Sequence, residues 1–316
     1  MKKALNIFGY FLVGLSIVFL FMQLFKHFRE IPHFVWGYWA VLNIILAVVF
    51  SAITVAVNAY IWVILLRGGG VFLTLRNAFI TLGQAQIGKY LPGNVFQYVG
   101  RFVLGRKQGL PREAIVLSMG VETLLVLVTA LAIGVIGSFF EKAHLLLQIK
   151  ELSSKSVTLT LLAVFSFVAV LIIVVIVIPE ARDWIRLRLP YLHFGRVSIS
   201  VFLYLAVFIM YGVFLSLLLR SLWDVDSALQ WYQFTWGFAL AWVVGFITPG
   251  APGGIGVREA IFILLFSQDL GPGLAASLTV VLRVVTSLGD LVAFGFAYWL
   301  RSITPENKGL LSSVQD

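Results

Sequence analysis

Two short motifs in this sequence place a cation close behind a break in an apolar segment. The pattern Gly-x3-Pro-Gly-x7-Arg runs from Gly88 to Arg101, and it recurs from Gly245 to Arg258, 157 positions later in a chain of 316 residues. Proline and glycine interrupt a helix, and the helix that resumes presents free N–H groups and the positive end of its dipole. Such N–H groups beside an arginine can bind an anion, most simply a phosphate.

The residues around each break indicate how the anion would be held. Asn94 can cap the helix that resumes after the first break. Glycines after the second break let the backbone approach a ligand closely. We therefore predict a substrate-binding set consisting of Lys89, Asn94, Arg101, Gly253, Gly254, Gly256 and Arg258. In the alternative interpretation, the apolar segments are membrane spans and the breaks are ordinary turns between them. The arginines would then extend to the membrane interface, and Lys89 would anchor the chain there.

Further charges lie inside apolar segments. A proline stands eleven positions before Glu122 and eleven before Arg283, so these two residues occupy similar places in the chain. They would pair either with each other near the membrane midplane or locally, as Glu122 would with Arg101. Asp290 lies seven positions after Arg283, where the two could form a buried pair, and Glu259 could neutralise the arginine before it. Each such charge costs about 2.5–3.5 kcal/mol to insert, so we predict that Glu122, Glu259, Arg283 and Asp290 form a polar path or a switch.

The composition shows which elements carry these residues. Hydrophobic residues make up 60% of the chain and charged residues 12%, and the mean hydropathy is +1.00. A soluble domain of this length exposes far more polar surface. Several apolar runs reach the length of about 20 residues that a bilayer requires. They lie at 5–25, 39–66, 113–139, 157–178, 198–222 and 273–300.

The two motifs belong to an internal repeat. Moving the chain by 157 positions places 39–66 on 196–223, and each half has three spans. A broken hairpin, 77–107 or 228–268, lies between the second and third span of each half. Because three is odd, the second half enters the membrane from the opposite side. The regions are a first repeat at 1–156, a second repeat at 157–301 and a polar cytoplasmic tail at 302–316.

The predicted fold class is therefore all-α. We expect a polytopic integral membrane protein with about six transmembrane helices and two broken or re-entrant helical hairpins in an inverted repeat. Basic residues near span ends favour a topology with both termini cytoplasmic. We expect a multi-pass protein of the plasma (inner) membrane of a prokaryote. The net charge of +9 then reflects the topology. The basic residues are scattered over short loops, which argues against nucleic-acid binding. Without cysteines, and with four histidines that lack ligand spacing, we expect no metal and no cofactor.

Two segments resemble a known family. They are KYLPGNVFQYVGR at 89–101 and PGAPGGIGVREA at 249–260, and the second is the more specific. Both look like the lysylphosphatidylglycerol synthase transmembrane-region family, also called the flippase-like domain family, and the resemblance covers nearly the whole chain. Glu122 and Arg283 also match charged positions typical of that family. The resemblance implies a membrane protein that moves, or helps to move, an anionic or aminoacylated lipid or a lipid-linked sugar between leaflets.

The chain differs from the best-understood relatives, the N-terminal flippase parts of the multiple peptide resistance factors. Those proteins carry an aminoacyl-transfer domain after the membrane region, whereas this sequence ends about 15 polar residues after its last span. Many members also have an arginine after the acid of the third span, where Thr123 follows Glu122 here. The Lys-Tyr-Leu-Pro-Gly-Asn form of the first motif resembles members associated with lipid-linked glycan assembly. That similarity favours a glycolipid or a polyprenyl-phosphate-linked sugar as substrate.

The hypothesis is a lipid translocase that is not an enzyme. Its partners would be a lipid with an anionic headgroup and, as a candidate protein partner, a glycosyltransferase or synthase. The alternatives are a membrane-embedded glycosyltransferase, a scaffold component of a lipid-linked glycan assembly system, and a transporter of ions or small anions.

Overall fold

The structure is a computed structural model, and it describes residues 33–90, 95–148, 193–223, 225, 229–248 and 252–303, with the backbone alone for 139–148. The predicted spans at 5–25 and 157–178, the predicted N-cap Asn94 and most of the tail at 302–316 lie outside these residues.

The described residues form eight α-helices and no strand, which confirms the all-α prediction. The helices are α1 (Tyr38–Gly68), α2 (Leu75–Gln86), α3 (Phe96–Lys107), α4 (Arg112–Gln148), α5 (Phe194–Trp223), α6 (Trp231–Ile247), α7 (Val257–Leu270) and α8 (Pro272–Ser302). A short 3₁₀ turn, Ile87–Tyr90, follows α2, and a second one, Pro252–Gly254, precedes α7.

Four of these helices are long and apolar enough to cross a membrane. They are α1, α4 over Arg112–Ser138, α5 and α8, whose most apolar windows have mean hydropathies of 2.6, 2.3, 2.5 and 1.7. Large apolar side chains such as Phe202 and Trp39 are exposed on their outer faces, as expected where lipid replaces water. The chain is therefore a polytopic membrane protein. The spans predicted at 39–66, 113–139, 198–222 and 273–300 are confirmed as long helices.

The helices on either side of each break are shorter. α2 and α3 have 12 residues each, and α6 and α7 have 17 and 14. At 1.5 Å per residue these lengths are about 18–26 Å, less than the bilayer core of about 30 Å. α2 packs on α3 and α6 packs on α7, so each pair forms a hairpin. We call α2–α3 the first hairpin and α6–α7 the second.

The first glycine of each repeated motif lies where the two parts of a hairpin touch. A Cβ atom on Gly88 would lie 2.8 Å from backbone atoms of Phe96 and Gln97. A Cβ atom on Gly245 would lie 3.1 Å from the Cβ of Arg258 and 3.3 Å from the Cα of Gly254. Glycine at these positions therefore brings the two segments into direct contact.

The two hairpins pack in a reciprocal way. α2 of the first hairpin contacts α8 near the end of the chain, and α6 of the second hairpin contacts α4 in the first half. α1 contacts α5, and the two 3₁₀ turns contact each other. The breaks in the two hairpins therefore meet inside the bundle. The repeat boundaries at 1–156 and 157–301 remain a prediction.

Candidate functional site

A cavity of about 230 Å³ lies between the two hairpins and the long helices α1, α4, α5 and α8. Gly253 and Gly254 of the second break line it, together with six charged side chains. These are Lys89, Arg101, Glu122, Arg258, Arg283 and Asp290. The structure thus brings most of the site residues predicted from sequence into one space.

The first charged group is the buried pair of Arg101 on α3 and Glu122 on α4. Arg101 Nη2 donates a hydrogen bond to Glu122 Oε2, and the two residues are only 7% and 8% exposed. The guanidinium carbon also lies 4.3 Å from the ring centroid of Trp62, within cation–π range. Trp62 Nε1 in turn donates to Ser118 Oγ at 2.8 Å, which holds the ring in place. The local alternative for Glu122 is confirmed, and its pairing with Arg283 does not form.

The second charged group contains two arginines and one carboxylate. Glu259 Oε1 lies 3.6 Å from Arg283 Nη1 and 3.9 Å from Arg258 Nε, and it accepts no hydrogen bond within the described part of the chain. The other oxygen, Oε2, accepts the N–H of Gly256 at 2.7 Å, at the start of α7. Glu259 is 2% exposed. Two cations therefore share one carboxylate, at distances longer than a charge-assisted hydrogen bond.

The third charged group joins the two halves of the chain. Lys89 Nζ, in the first break, lies 2.6 Å from Asp290 Oδ2 on α8. Tyr90 donates its hydroxyl to the same oxygen at 2.5 Å, and Gln86 Nε2 donates to Oδ1 at 3.1 Å. The expected pair of Asp290 with Arg283 is wrong, because the carboxylate is directed to the first hairpin. Lys89 lines the cavity, and its ammonium group lies beside Asp290 there.

The backbone of the second break adopts conformations that favour glycine. Gly253 and Gly254 have φ of +55° and +71°, in the left-handed region. Arg283 Nη1 donates to the carbonyl oxygen of Gly253 at 3.0 Å, which ties α8 to this break. Gly256 does not line the cavity, and its N–H is taken by Glu259. The start of α7 is thus occupied by the protein's own carboxylate.

The predicted N-cap of the first resumed helix is shifted by one residue. α3 begins at Phe96, and Val95 is its N-cap residue, without a capping side-chain hydrogen bond. Asn94 was the predicted N-cap because its side chain can accept a hydrogen bond from the helix, which valine cannot.

The lining also contains uncharged polar side chains that were not predicted from the sequence. They are the tyrosines Tyr98, Tyr204 and Tyr211 and the amides of Asn58 and Gln97. Asn58 gave a usable signal, because an amide inside the apolar run at 39–66 needs a polar partner or a polar space.

Four membrane-crossing helices, two broken hairpins and an internal charged cavity define a polytopic helical membrane protein with a polar site buried between its helices. The family model described as lysylphosphatidylglycerol synthase TM region matches residues 6–293, so the chain belongs to that family. Membership indicates a membrane function related to lipids. Comparisons with curated proteins and with solved structures gave no match.

Proposed function

We propose that this protein is a flippase-like lipid translocase, which moves a lipid headgroup between leaflets while the hydrocarbon chains stay in the bilayer. One observation carries the proposal, namely that both helix breaks face a single charged cavity inside the membrane bundle. Charges and irregular backbone at membrane depth mark substrate paths, because lipid satisfies neither. Family membership supports the lipid as the substrate class.

The phosphate of the headgroup would bind between Arg258 and Arg283. Both cations line the cavity, and they share the carboxylate of Glu259 at 3.6–3.9 Å, distances longer than a charge-assisted hydrogen bond. Lys89 lies near the same place, since a Cβ on Gly253 would be 3.4 Å from Arg283 Nη2 and 3.7 Å from Lys89 Cγ. Arg101 differs from Arg258 and Arg283, because it donates a hydrogen bond to a carboxylate of its own, Glu122. Its role would be to position the first hairpin.

The exchange between inward- and outward-open states would occur where the two hairpins meet. The Lys89–Asp290 pair links the first hairpin to α8, and a bound phosphate would compete with Asp290 for Lys89. An inverted repeat, which the reciprocal packing of the hairpins supports, would offer a similar entrance to each leaflet. The energy would come from an ion gradient, a partner protein or the substrate gradient. We also propose an inner-membrane location with both termini cytoplasmic.

The direct test uses purified protein in liposomes that contain a panel of acyl-labelled lipids. A membrane-impermeant quencher in the outer solution measures how fast each lipid changes leaflet. The expected result is protein-dependent exchange of lipids with an anionic headgroup, and its loss in the double variant Arg258→Gln/Arg283→Gln. Arg67→Gln is the matched control, because Arg67 is an exposed cation at the end of α1. Exchange that the double variant leaves unchanged would contradict the proposed site.

A transfer assay separates this proposal from the glycosyltransferase alternative. Purified protein would be incubated with a labelled lipid-phosphate sugar donor and an acceptor, without any other protein. Sugar transfer under these conditions would show an enzyme. For the scaffold alternative, the same double variant should support glycan assembly in cells as well as the wild type does.

A further inference from the structure

Asp290 is a buried acid that depends on one cation. Lys89 Nζ lies 2.6 Å from its Oδ2, and among the described residues no other basic side chain is in ion-pair contact with this carboxylate. Its other partners, the hydroxyl of Tyr90 and the amide of Gln86, are neutral donors. Asp290 is 4% exposed, so water outside the bundle does not solvate it. A carboxylate in this position stays ionised only while its cation stays beside it.

Other polar groups lie near the carboxylate without contacting it. Arg283, on the same helix, is directed to the second break and lies 3.6 Å from Glu259. Arg258 of α7 lies 3.9 Å from the same glutamate. Tyr211 of α5 is within electrostatic range of Asp290 but makes no hydrogen bond to it. The residues of α1 that line the cavity are uncharged, namely Ser51, Thr54 and Asn58.

An anionic headgroup in the cavity would remove the cation of Asp290. Lys89 and Asp290 both line the cavity, so a phosphate there reaches the ammonium group directly. Lys89 belongs to the short turn Ile87–Tyr90 at the first break, outside the long helices. When the phosphate takes this ammonium group, Asp290 keeps its neutral donors and loses its counter-charge. Uptake of a proton then removes the uncompensated charge from the membrane interior.

The other two acids of the site do not depend on Lys89. Glu122 is closed in its pair with Arg101, which the proposed function keeps away from the phosphate. Glu259 accepts the N–H of Gly256 at 2.7 Å, at the positive end of α7, so it keeps this stabilisation when a phosphate binds the arginines. Asp290 is therefore the acid whose cation the headgroup takes.

The cavity also offers a proton a route to this carboxylate. Asp290 lines a polar space of about 230 Å³, which has room for several water molecules. The hydroxyls of Ser51 and Tyr211 lie 3.3 Å apart in its lining, and Thr286 lines it as well. Water and hydroxyl groups relay protons between ionisable groups inside membrane proteins.

We infer that the protein moves one proton together with each anionic headgroup, and that Asp290 carries the proton. In the empty site, Lys89 pairs with the ionised carboxylate. An anionic headgroup takes the ammonium group, and Asp290 accepts a proton from the same side of the membrane. On the other side the headgroup leaves, Lys89 returns to Asp290, and the proton is released. This inference rests on the proposed function, since it names the ion that would drive the same site.

The first experiment measures binding without transport. A soluble short-chain phosphatidylglycerol, whose phosphodiester carries one negative charge, is titrated calorimetrically into the purified protein in buffers of different ionisation enthalpy. The comparison of buffers counts the protons taken up, and we expect about one for each headgroup bound at neutral pH. By linkage, the affinity should then fall about tenfold for each unit of rise in pH. Binding that takes up no proton and does not depend on pH would overturn the inference.

The second experiment measures transport driven by a proton gradient. Liposomes of a zwitterionic lipid contain the protein and a trace of acyl-labelled phosphatidylglycerol, with the membrane potential clamped at zero. A membrane-impermeant quencher measures the label in the outer leaflet after a pH step. An acidic interior should move label to the outer leaflet, up to about tenfold over the inner leaflet for one unit of pH, because one proton supplies the free energy of that ratio. Protein-free liposomes correct for unassisted movement.

Variants assign the proton to Asp290. Asp290→Asn removes the titrating group, so binding should take up no proton and a pH step should not change the leaflet ratio. Asp269→Asn is the matched control, because Asp269 is an exposed aspartate of α7 outside the cavity, and it should behave as the wild type does. Lys89→Gln gives a second variant, in which Asp290 lacks its cation before the lipid arrives and binding should also take up no proton. Wild-type proton uptake in Asp290→Asn would overturn the assignment.

The two experiments separate this inference from the proposed function. Proton uptake on binding without any leaflet exchange would support the role of Asp290 and refute the translocase. Leaflet exchange that ignores the pH step, with no proton uptake on binding, would overturn the inference and leave the translocase standing. Neither binding nor exchange of the anionic lipid would overturn both.

Discussion

The two copies of the repeated motif use their arginines differently. In the first copy, Arg101 has a carboxylate of its own in Glu122 and stacks on Trp62. In the second copy, Arg258 shares Glu259 with Arg283. The position of Glu122 in the first half corresponds to that of Arg283 in the second. Because an acid stands there in one half and a base in the other, Arg101 has its own carboxylate and Arg258 shares one. The same motif thus forms a closed ion pair in one half of the chain and a carboxylate shared by two arginines in the other.

The largest expected effect is on stability, at the first copy. Glu122→Gln leaves Arg101 charged and buried, which should lower the free energy of unfolding by about 3–5 kcal/mol. Arg258→Gln should cost much less, because Glu259 keeps Arg283. Denaturation in detergent measures both. The double variant Arg101→Met/Glu122→Leu removes the whole pair and should recover most of the loss. Wild-type stability in Glu122→Gln would show that the first pair is not structural.

The next effect is on transport, at the second copy. Arg258→Gln and Arg283→Gln should each slow phosphatidylglycerol exchange about ten- to a hundredfold, because a hydrogen bond to a charged group contributes about 1.5–3 kcal/mol. The Arg101→Met/Glu122→Leu protein should exchange lipid within a few-fold of the wild type. If that protein instead loses transport as Arg258→Gln does, the two copies bind substrate equally.

A smaller effect on stability is expected at the two close-contact glycines, Gly88 and Gly245. Gly88→Ala would put a Cβ atom 2.8 Å from backbone and should lower the free energy of unfolding by about 1–3 kcal/mol. Gly245→Ala meets its nearest atom at 3.1 Å and should cost less. Gly120→Ala is the control, since a Cβ there has no neighbour within 4 Å and alanine favours the helix. Equal losses of unfolding free energy in Gly88→Ala and Gly245→Ala would mean that moving the two segments apart costs the same in both hairpins.

The smallest effect concerns the contact between the halves. Tyr90→Phe removes one of the donors to Asp290 and should lower the free energy of unfolding by about 1 kcal/mol, because Lys89 and Gln86 remain. A double-mutant cycle with Asp290→Asn isolates the interaction of the hydroxyl with the carboxylate. Additive losses would show that Tyr90 does not stabilise this junction.

The elements of the fold could be predicted because their signals are local. The apolar run at 39–66 became Tyr38–Gly68, and the run at 273–300 became Pro272–Ser302. Length and hydropathy set such a helix without reference to its neighbours. The cluster of charges was predictable for a related reason, since charged groups in apolar helices must meet other polar groups.

The choice of ion-pair partners could not be predicted, because it depends on how the helices are rotated and how deep they lie. Asp290 stands seven positions from Arg283 on one helix, a spacing that favours their pairing. Lys89 is 201 positions away in sequence, yet it reaches Asp290 because the first hairpin packs against α8. The tyrosines of the cavity were missed for the same reason, since only the packed bundle shows that Tyr204 and Tyr211 line it.

The charges of α8 also have a consequence for biosynthesis. α8 has the lowest mean hydropathy of the four long helices, 1.7, and it carries Arg283 and Asp290. The partners of these two residues, Glu259 and Lys89, are both made earlier in the chain. At about 2.5–3.5 kcal/mol for each isolated charge, the insertion machinery would hold this helix poorly by itself. The ribosome therefore delivers α8 after the segments that carry its counter-charges, and a truncated protein without the first hairpin should fail to integrate it.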